Sequence, residues 1–504
     1  MTRRAALVAG VPVTILLLLA AYASTFVVSY DRLFRKQDPL LATDVARLLP
    51  TRVMRIDRAQ RIEQLQSILR EANAKGWKVS IAGSRHSQGG HTYYDGAVVL
   101  DMKGFNEVIN LDQKNKTITV EAGATWDDVQ RYINPYRLAV KVMQSSYVFT
   151  VGGTMSANAH GRDLDRTSFV ETVASFHLML PDGKIVNVSR TENPELFKLV
   201  IGGYGMFGII LDATLQLTDD VVFERRAVVM DYRDFPDYFA NHIRADPTLG
   251  LMMVRPSISP TTFLRELVVT TWHVTGKAAE GGGRDIHTLG VEQHVLRDRF
   301  FFDLSRRFDW AKRLRWYFQR KIESSPGRTK LISRNNAMRP PETPLEFLDY
   351  YSTRRTDIIQ EYYVPVRNFT AFLDEFRRIL TDGHMNVVSS TIRYVKANDE
   401  TYLAYAPRED AFAIIQMSNV GLSQREQRQT QAVTQQLVDA ALRFGGTYYL
   451  TYQLYPTREQ MRRAYPNAEY VFGRKRFYDP AERFMSKFYE KYGMIPSPDH
   501  GAAK

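Results

Sequence analysis

Apolar positions along this chain switch repeatedly between helical and strand-like spacing. Ile62, Leu65, Ile68, Leu69 and Ala72 recur at helical intervals, with Gly76 where a C-cap belongs, and predict a helix over 61–74. A short strand, Val79-Ser80-Ile81, follows and stops at Ala82-Gly83. A polar loop over 83–91 leads to a second apolar run, Ala97 to Leu100. Residues 117–121 alternate as a half-buried strand, and Thr125 caps a short helix beginning at Trp126. Phe176–Leu180 and Ile185–Val188 read as a hairpin around Pro181-Asp182-Gly183-Lys184. Asn193-Pro194 opens a helix through Val200, and Ile209 to Leu217 is a strand. This alternation predicts a first α+β domain over 49–217.

Beyond about residue 218 the pattern changes. Ala227–Met230, Gly250–Val254 and Leu267–Trp272 predict strands of a second sheet. Helical spacing returns over 368–380 and 429–444, with a buried-type strand at 411–417 between them. These elements predict a second α+β domain over 218–496 with an antiparallel sheet, and the polar tail 497–504 is expected to be disordered. Residues 296–322 interleave aromatics such as Phe300, Trp310 and Trp316 with many arginines. Two readings stay open for this helical stretch: a membrane-surface element, or a helix packed by its aromatics with its arginines in water.

Residues 5–29 carry no charge and are long enough to span a bilayer. Ala21-Tyr22-Ala23 resembles a signal-peptidase site, but the apolar run continues past it through Val28, so an uncleaved N-terminal transmembrane helix is expected. That reading localises the protein to a membrane. Basic residues flank both ends of the segment and leave its orientation open. The 504 residues exceed one ordinary domain. The absence of cysteine excludes disulfides, thiolate nucleophiles, iron–sulfur clusters and cysteine zinc sites, and no metal site is read from the sequence. A formal charge of +12 favours an acidic partner. With no nucleic-acid module in the chain, nucleic acid is not among the expected partners.

Three glycine-rich stretches carry the candidate chemistry. The loop Gly83-Ser84-Arg85-His86-Ser87-Gln88-Gly89-Gly90-His91 offers backbone N–H groups, hydroxyls and one guanidinium, a set suited to a pyrophosphate. Gly152-Gly153-Thr154 through Ala157, His160 and Gly161 permits close backbone contact with a flat ligand. Gly203-Tyr204-Gly205-Met206-Phe207-Gly208 matches a dinucleotide fingerprint, yet it follows a helix and opens a strand. A Rossmann fold requires the reverse.

Together these stretches resemble the vanillyl-alcohol-oxidase, or PCMH-type, FAD flavoproteins, nearest the sugar-lactone (arabinono-lactone) oxidases and the polyprenyl-linked ribose oxidase. Gly83 to Ser87 resembles the family's G-x-x-H-S pyrophosphate loop. The resemblance implies a two-subdomain FAD-binding domain followed by a substrate or cap domain. It implies FAD contacts from Gly83, Ser84, Arg85, His86, Ser87, Gly89, Gly90, Gly152, Gly153, Thr154, Ala157, His160, Gly161, Gly205, Gly208 and Ile209. It also implies a covalent link from His86 to the flavin, with His91 the alternative if the loop register differs.

For catalysis, the resemblance points to Glu361 in Gln360-Glu361-Tyr362-Tyr363-Val364-Pro365, Arg393, Gln416 on the next strand, and Tyr452. Tyr452 falls where the polyprenyl-linked enzyme carries a lysine, and no lysine occurs between Phe444 and Arg474. The implied activity is oxidation of a CH–OH group of a sugar, polyol, sugar-lactone-like or lipid-linked substrate. Oxygen, a quinone or another acceptor would take the electrons. The alternatives are a flavin reductase of a lipid C=C bond and a membrane scaffold without turnover.

Overall fold

A computed structural model describes residues 38–144, 146–276, 285–291, 295–323, 330–339, 352 and 354–495, with 17, 20 and 21. The transmembrane segment expected over 5–29 lies outside the described residues apart from Leu17, Ala20 and Ala21. The tail 497–504 lies outside them entirely. Among the described residues no helix is long and apolar enough to cross a membrane.

Three of the four sheets among the described residues organise the chain; the fourth is a short pair, Leu41–Ala42 with Thr51–Arg52. The first is parallel, with β3 (Val98–Asp101) between β1 (Arg55–Asp57) and β2 (Val79–Ala82). Every residue of β3 is buried, because parallel strands are covered on both faces. Helix α1 (Ile62–Lys75) joins β1 to β2, burying Leu65, Leu69 and Ala72. Gly76 ends it in the left-handed region (φ 69°), its N–H donating to the Ala72 carbonyl.

The second sheet is antiparallel, in the order β8 (Ile185–Ser189), β7 (Val173–Met179), β9 (Ile209–Asp219), β5 (Thr117–Glu121), β4 (Val108–Asp112). β6 (Leu138–Val140) pairs with the far end of β9. Thr125 caps α2 (Trp126–Ile133), accepting from the Asp128 N–H. The stretch read above only as small-residue sequence is a helix, α3 (Val151–Ala157), capped by Thr150. α4 (Pro194–Val200) precedes β9.

The third sheet runs β13 (Lys330–Ser333), β10 (Val222–Asp231), β12 (Glu266–Val274), β11 (Leu249–Pro256), β15 (Val387–Val395), β16 (Ala411–Gly421), β14 (Arg355–Pro365), β17 (Thr447–Tyr448), its neighbours antiparallel throughout. One face is covered by α7 (Phe369–Asp382), which buries Phe369, Phe372, Phe376 and Leu380, and by α8 (Gln424–Arg443). The stretch over 296–322 is not one helix. It breaks at Phe308 into α5 (Val295–Arg307) and α6 (Asp309–Glu323), which meet around Phe302. The guanidiniums of Arg306 and Arg315 lie 4.7 and 4.5 Å from that ring's centre.

After α9 (Arg458–Ala464) and α10 (Ala468–Tyr478), the chain returns to the first sheet before ending in α11 (Lys487–Tyr492). Val79 N–H donates to the Arg483 carbonyl (2.8 Å) and Met485 N–H to the Val79 carbonyl (2.9 Å). Phe484 joins the core made by Leu65, Leu69 and Leu100. A fully buried ion pair, Lys475–Asp479, fixes this return, and Asp479 also accepts from the N–H groups of Arg483 and Phe484 at 2.8 Å.

Candidate active site

One cavity lies between the first two sheets and the third, and the three glycine stretches meet in it. β2 ends at Ala82, and the loop that follows turns sharply because Arg85 is left-handed (φ 58°). A bend of this kind brings successive N–H groups to one side, the arrangement that suits an anion. Gly83 has no room for a side chain, since a Cβ there would sit 2.2 Å from Thr150 Oγ1. Ser84 donates to the Val148 carbonyl (2.6 Å), tying the loop to the segment before α3.

Several polar atoms of this loop are buried without a protein partner: Arg85 Nε, His86 Nδ1, Ser87 Oγ and Thr92 Oγ1. Buried polar groups are ordinarily paired, so these fit a polar ligand in the cavity. The His86 ring lies 4.6 Å from that of Phe149, and burial pushes its pKa down to about 4. It is therefore a neutral imidazole, the form with a lone pair free to bond. His91 is also held neutral by burial, but its Nε2–H donates to the Leu450 carbonyl (2.8 Å) and its ring stacks on Phe488. Those contacts hold His91 through Nε2; it too lines the cavity, and its Nδ1, like that of His86, has no protein partner.

The opposite wall comes from the third sheet. Glu361 on β14 is buried, and its Oε1 lies 2.5 Å from His160 Nε2. Tyr452 donates to Glu361 Oε2 (3.2 Å), and Arg393 on β15 donates to the His160 carbonyl (3.3 Å). Burial works against ionisation of Glu361. The neighbouring His160, Arg393 and Tyr452 outweigh it and hold the carboxyl below its ordinary value. Burial and the Glu361 charge raise Tyr452 well above the usual phenol range, so it stays a donor. Tyr363, Tyr405 and Tyr449 pack around the His160 ring at 5.6–6.1 Å.

Most residues singled out from sequence line this cavity: Gly83 to Ser87, Gly152 to Thr154, Ala157, His160, Gly205, Gly208, Glu361, Arg393 and Tyr452. Five do not. Gln416 is buried on the other face of β16, because its neighbour Ile415 faces the cavity and side chains alternate along a strand. The same parity places Ile210, not Ile209, in the wall. Gly89 and Gly90 pack instead against Tyr452, Leu454 and Lys487, and Gly161 against the Met143 carbonyl.

Sequence reasoning missed Gln88, Gln144, Thr150, Tyr204, Ile359 and Tyr449, all in the wall. Ile359 could have been found by its two-residue offset from Glu361, whereas Thr150 caps a helix that the sequence does not reveal. Gln144 and Tyr449 carry no local signal, being brought in by tertiary folding alone.

A family model described as an FAD binding domain matches residues 55–189. Three relatives are similar over parts of their length. An oxidoreductase, ORF5 in the fasciation locus of Rhodococcoides fascians, is 35% identical over 31% of this chain and 36% of its own. Decaprenylphosphoryl-beta-D-ribose oxidase of Mycolicibacterium smegmatis is 29% identical over 31% of this chain and 34% of its own. L-gulonolactone oxidase of Mus musculus is 27% identical over 31% and 35%. The matches thus span about a third of each relative. Residues 55–189 thus match an FAD binding domain, and FAD is the cofactor this unit takes.

Proposed function

We propose that the protein is a membrane-anchored FAD-dependent oxidoreductase that oxidises a CH–OH group of a sugar, polyol or sugar-lactone-like substrate. The anchor is the uncharged segment 5–29. The observation that carries the redox reading is the ionised Glu361, bound to His160 and Tyr452, in the same cavity as the unpartnered atoms of the 83–87 loop. Residues 83–87, the 152–157 helix and Gly205 would hold the cofactor. Bound FAD supplies a two-electron, hydride-accepting centre.

The chain's own groups supply the proton chemistry. Glu361, as a carboxylate, accepts the proton of the substrate hydroxyl, and the hydrogen bond from His160 to its Oε1 holds it in place. Tyr452 and Arg393 fix the carboxylate and the imidazole in position. The tyrosines around His160 exclude water from this end of the cavity. A carboxylate base fits alcohol oxidation, whereas C=C reduction would draw on a proton donor such as Tyr452. Oxygen, a quinone or another acceptor would then restore the oxidised cofactor.

The test is anaerobic addition of a panel of sugars, polyols and sugar lactones to the FAD-loaded protein while the visible flavin band is followed. Bleaching by one of them, abolished in Glu361→Gln with FAD still bound, is the expected result. Bleaching only by a nicotinamide or other reductant, with consumption of an unsaturated lipid, would overturn the proposal in favour of a reductase. No bleaching by any donor would leave a flavin-binding scaffold.

A further inference from the structure

The α5–α6 pair is apolar on two faces: it buries Phe302, Leu304, Ala311 and Trp316 and exposes a second set. A helix packed on a protein core hides its apolar side chains and presents its charges. Here Arg306 and Lys312 are buried, Arg306 pairing with Asp357 (2.8 Å) and Lys312 with Asn386 (2.7 Å). On the outer face Phe308, Trp310, Leu314, Tyr317, Phe318 and Ile322 are 43–53% exposed. Trp310, Leu314, Tyr317 and Phe318 recur at helical spacing along one stripe of α6, and Arg313 and Lys321 lie on that same stripe, both exposed. The other large apolar residues exposed among the described ones are scattered singly or in pairs. A concentrated aromatic stripe of this kind marks an interaction surface.

Two features of the chain identify what covers it. Over 297–323 Arg297, Arg307, Arg313, Arg320 and Lys321 are exposed, and Asp309 is the one exposed carboxylate, so the face suits an anionic partner that also accepts aromatic rings. The described chain that follows the uncharged segment 5–29 also comes to this place: Val45 packs against the cluster that Phe302 of α5 forms with Val388 and Met417. Ile359 belongs to that same cluster and also lines the cavity, two residues along β14 from Glu361.

We propose that α6 and its junction with α5 form a docking surface for an anionic lipid bilayer, a second membrane contact beside the N-terminal segment. The stripe of Trp310, Leu314, Tyr317 and Phe318 enters the headgroup region, and Arg313 and Lys321 meet lipid phosphates. Docking this way sets the Glu361 end of the cavity against the membrane, within reach of a substrate that partitions into the interface. The inference deepens the membrane-anchored reading above and rests on it, but it does not depend on the redox assignment.

Because the chain has no cysteine, single-cysteine labelling reads one position cleanly. The full chain, as Leu314→Cys or Phe318→Cys carrying an environment-sensitive fluorophore, is reconstituted into phosphatidylcholine vesicles with and without phosphatidylglycerol. Asp382→Cys, on the helix covering the opposite face of the third sheet, is the control. The expected result is a blue shift and quenching by nitroxide lipid at 314 and 318 on anionic vesicles, with none at 382. Arg313→Gln with Lys321→Gln should lower the docked-to-undocked ratio about thirtyfold.

A chain that floats with the vesicles but keeps positions 314 and 318 aqueous overturns the docking surface and spares the anchor. A chain that does not associate with vesicles overturns both. Equal quenching on purely zwitterionic vesicles overturns the anionic assignment. A blue shift that grows with protein concentration in detergent, without vesicles, assigns the face to a second copy of the chain instead.

Discussion

In the proposed reaction Glu361 carries the proton transfer, and its surroundings fix how it responds to pH. Its folded pKa lies below the ordinary glutamate value because His160, Arg393 and Tyr452 outweigh burial. The stabilisation from its ionised form is therefore present above the ordinary value and lost as pH falls through the lowered folded value. Turnover should follow the same limb, flat through the neutral range and falling only as pH drops through that lowered value. Tyr452→Phe removes a donor to the carboxylate and should move that limb to higher pH. A kcat/KM profile of the two proteins checks the shift. Glu361→Gln should lower kcat about 10²–10⁴-fold. His86→Ala should leave a colourless pellet after acid precipitation where the wild type stays yellow. Release of flavin from the wild type would instead make the cofactor noncovalent. Glu361 and His160 could be picked out because each sits in a stretch that resembles the family's, and Tyr452 because it falls where the polyprenyl-linked enzyme carries a lysine. Gln416 was misplaced by one position, which on a strand is the whole difference between the cavity and the far face.

At the scale of elements, glycines that look alike in sequence do different work. Gly83→Ala puts a Cβ 2.2 Å from Thr150 Oγ1, the cap of α3, so the loop and the helix cannot both keep their places. The expected outcome is loss of FAD from the purified protein, read from its visible spectrum. Gly76→Ala meets nothing within 4 Å and suffers only its left-handed backbone (φ 69°). It should cost about 1 kcal/mol of stability with FAD content unchanged. The helix over 61–74, the β7–β8 hairpin and the Thr125 cap could be read from periodicity and capping chemistry. α3 could not, because glycine and serine are poor helix formers and tertiary contacts decide its state. Nor was the break at Phe308 visible, since the basic and aromatic residues continue across it without a proline or glycine.

Across the whole molecule, the first sheet depends on residues some 400 positions away in sequence. Lys475→Met would leave the Asp479 carboxylate buried and unpaired at the root of the returning segment. Breaking one partner of such a pair costs about 3–5 kcal/mol. A matching fall in the urea midpoint is expected, with weakened FAD retention because Phe484 and Met485 brace the strand that ends in the loop. Hydropathy gave no hint of this return; it is a pairing between β2 and a segment with no strand pattern of its own.

That return has a consequence for biosynthesis. Ribosomes deliver β2 and its loop hundreds of residues before the segment that completes them, and domains ordinarily fold in the order they emerge. Here the loop-bearing strand must wait, half-assembled, while the third sheet is made. Cofactor loading is thus tied to finishing translation. A nascent chain arrested before Asp479 should fail to retain FAD, whereas one released just past Tyr492 should take it up, so that prematurely terminated products are never charged with a redox-active group.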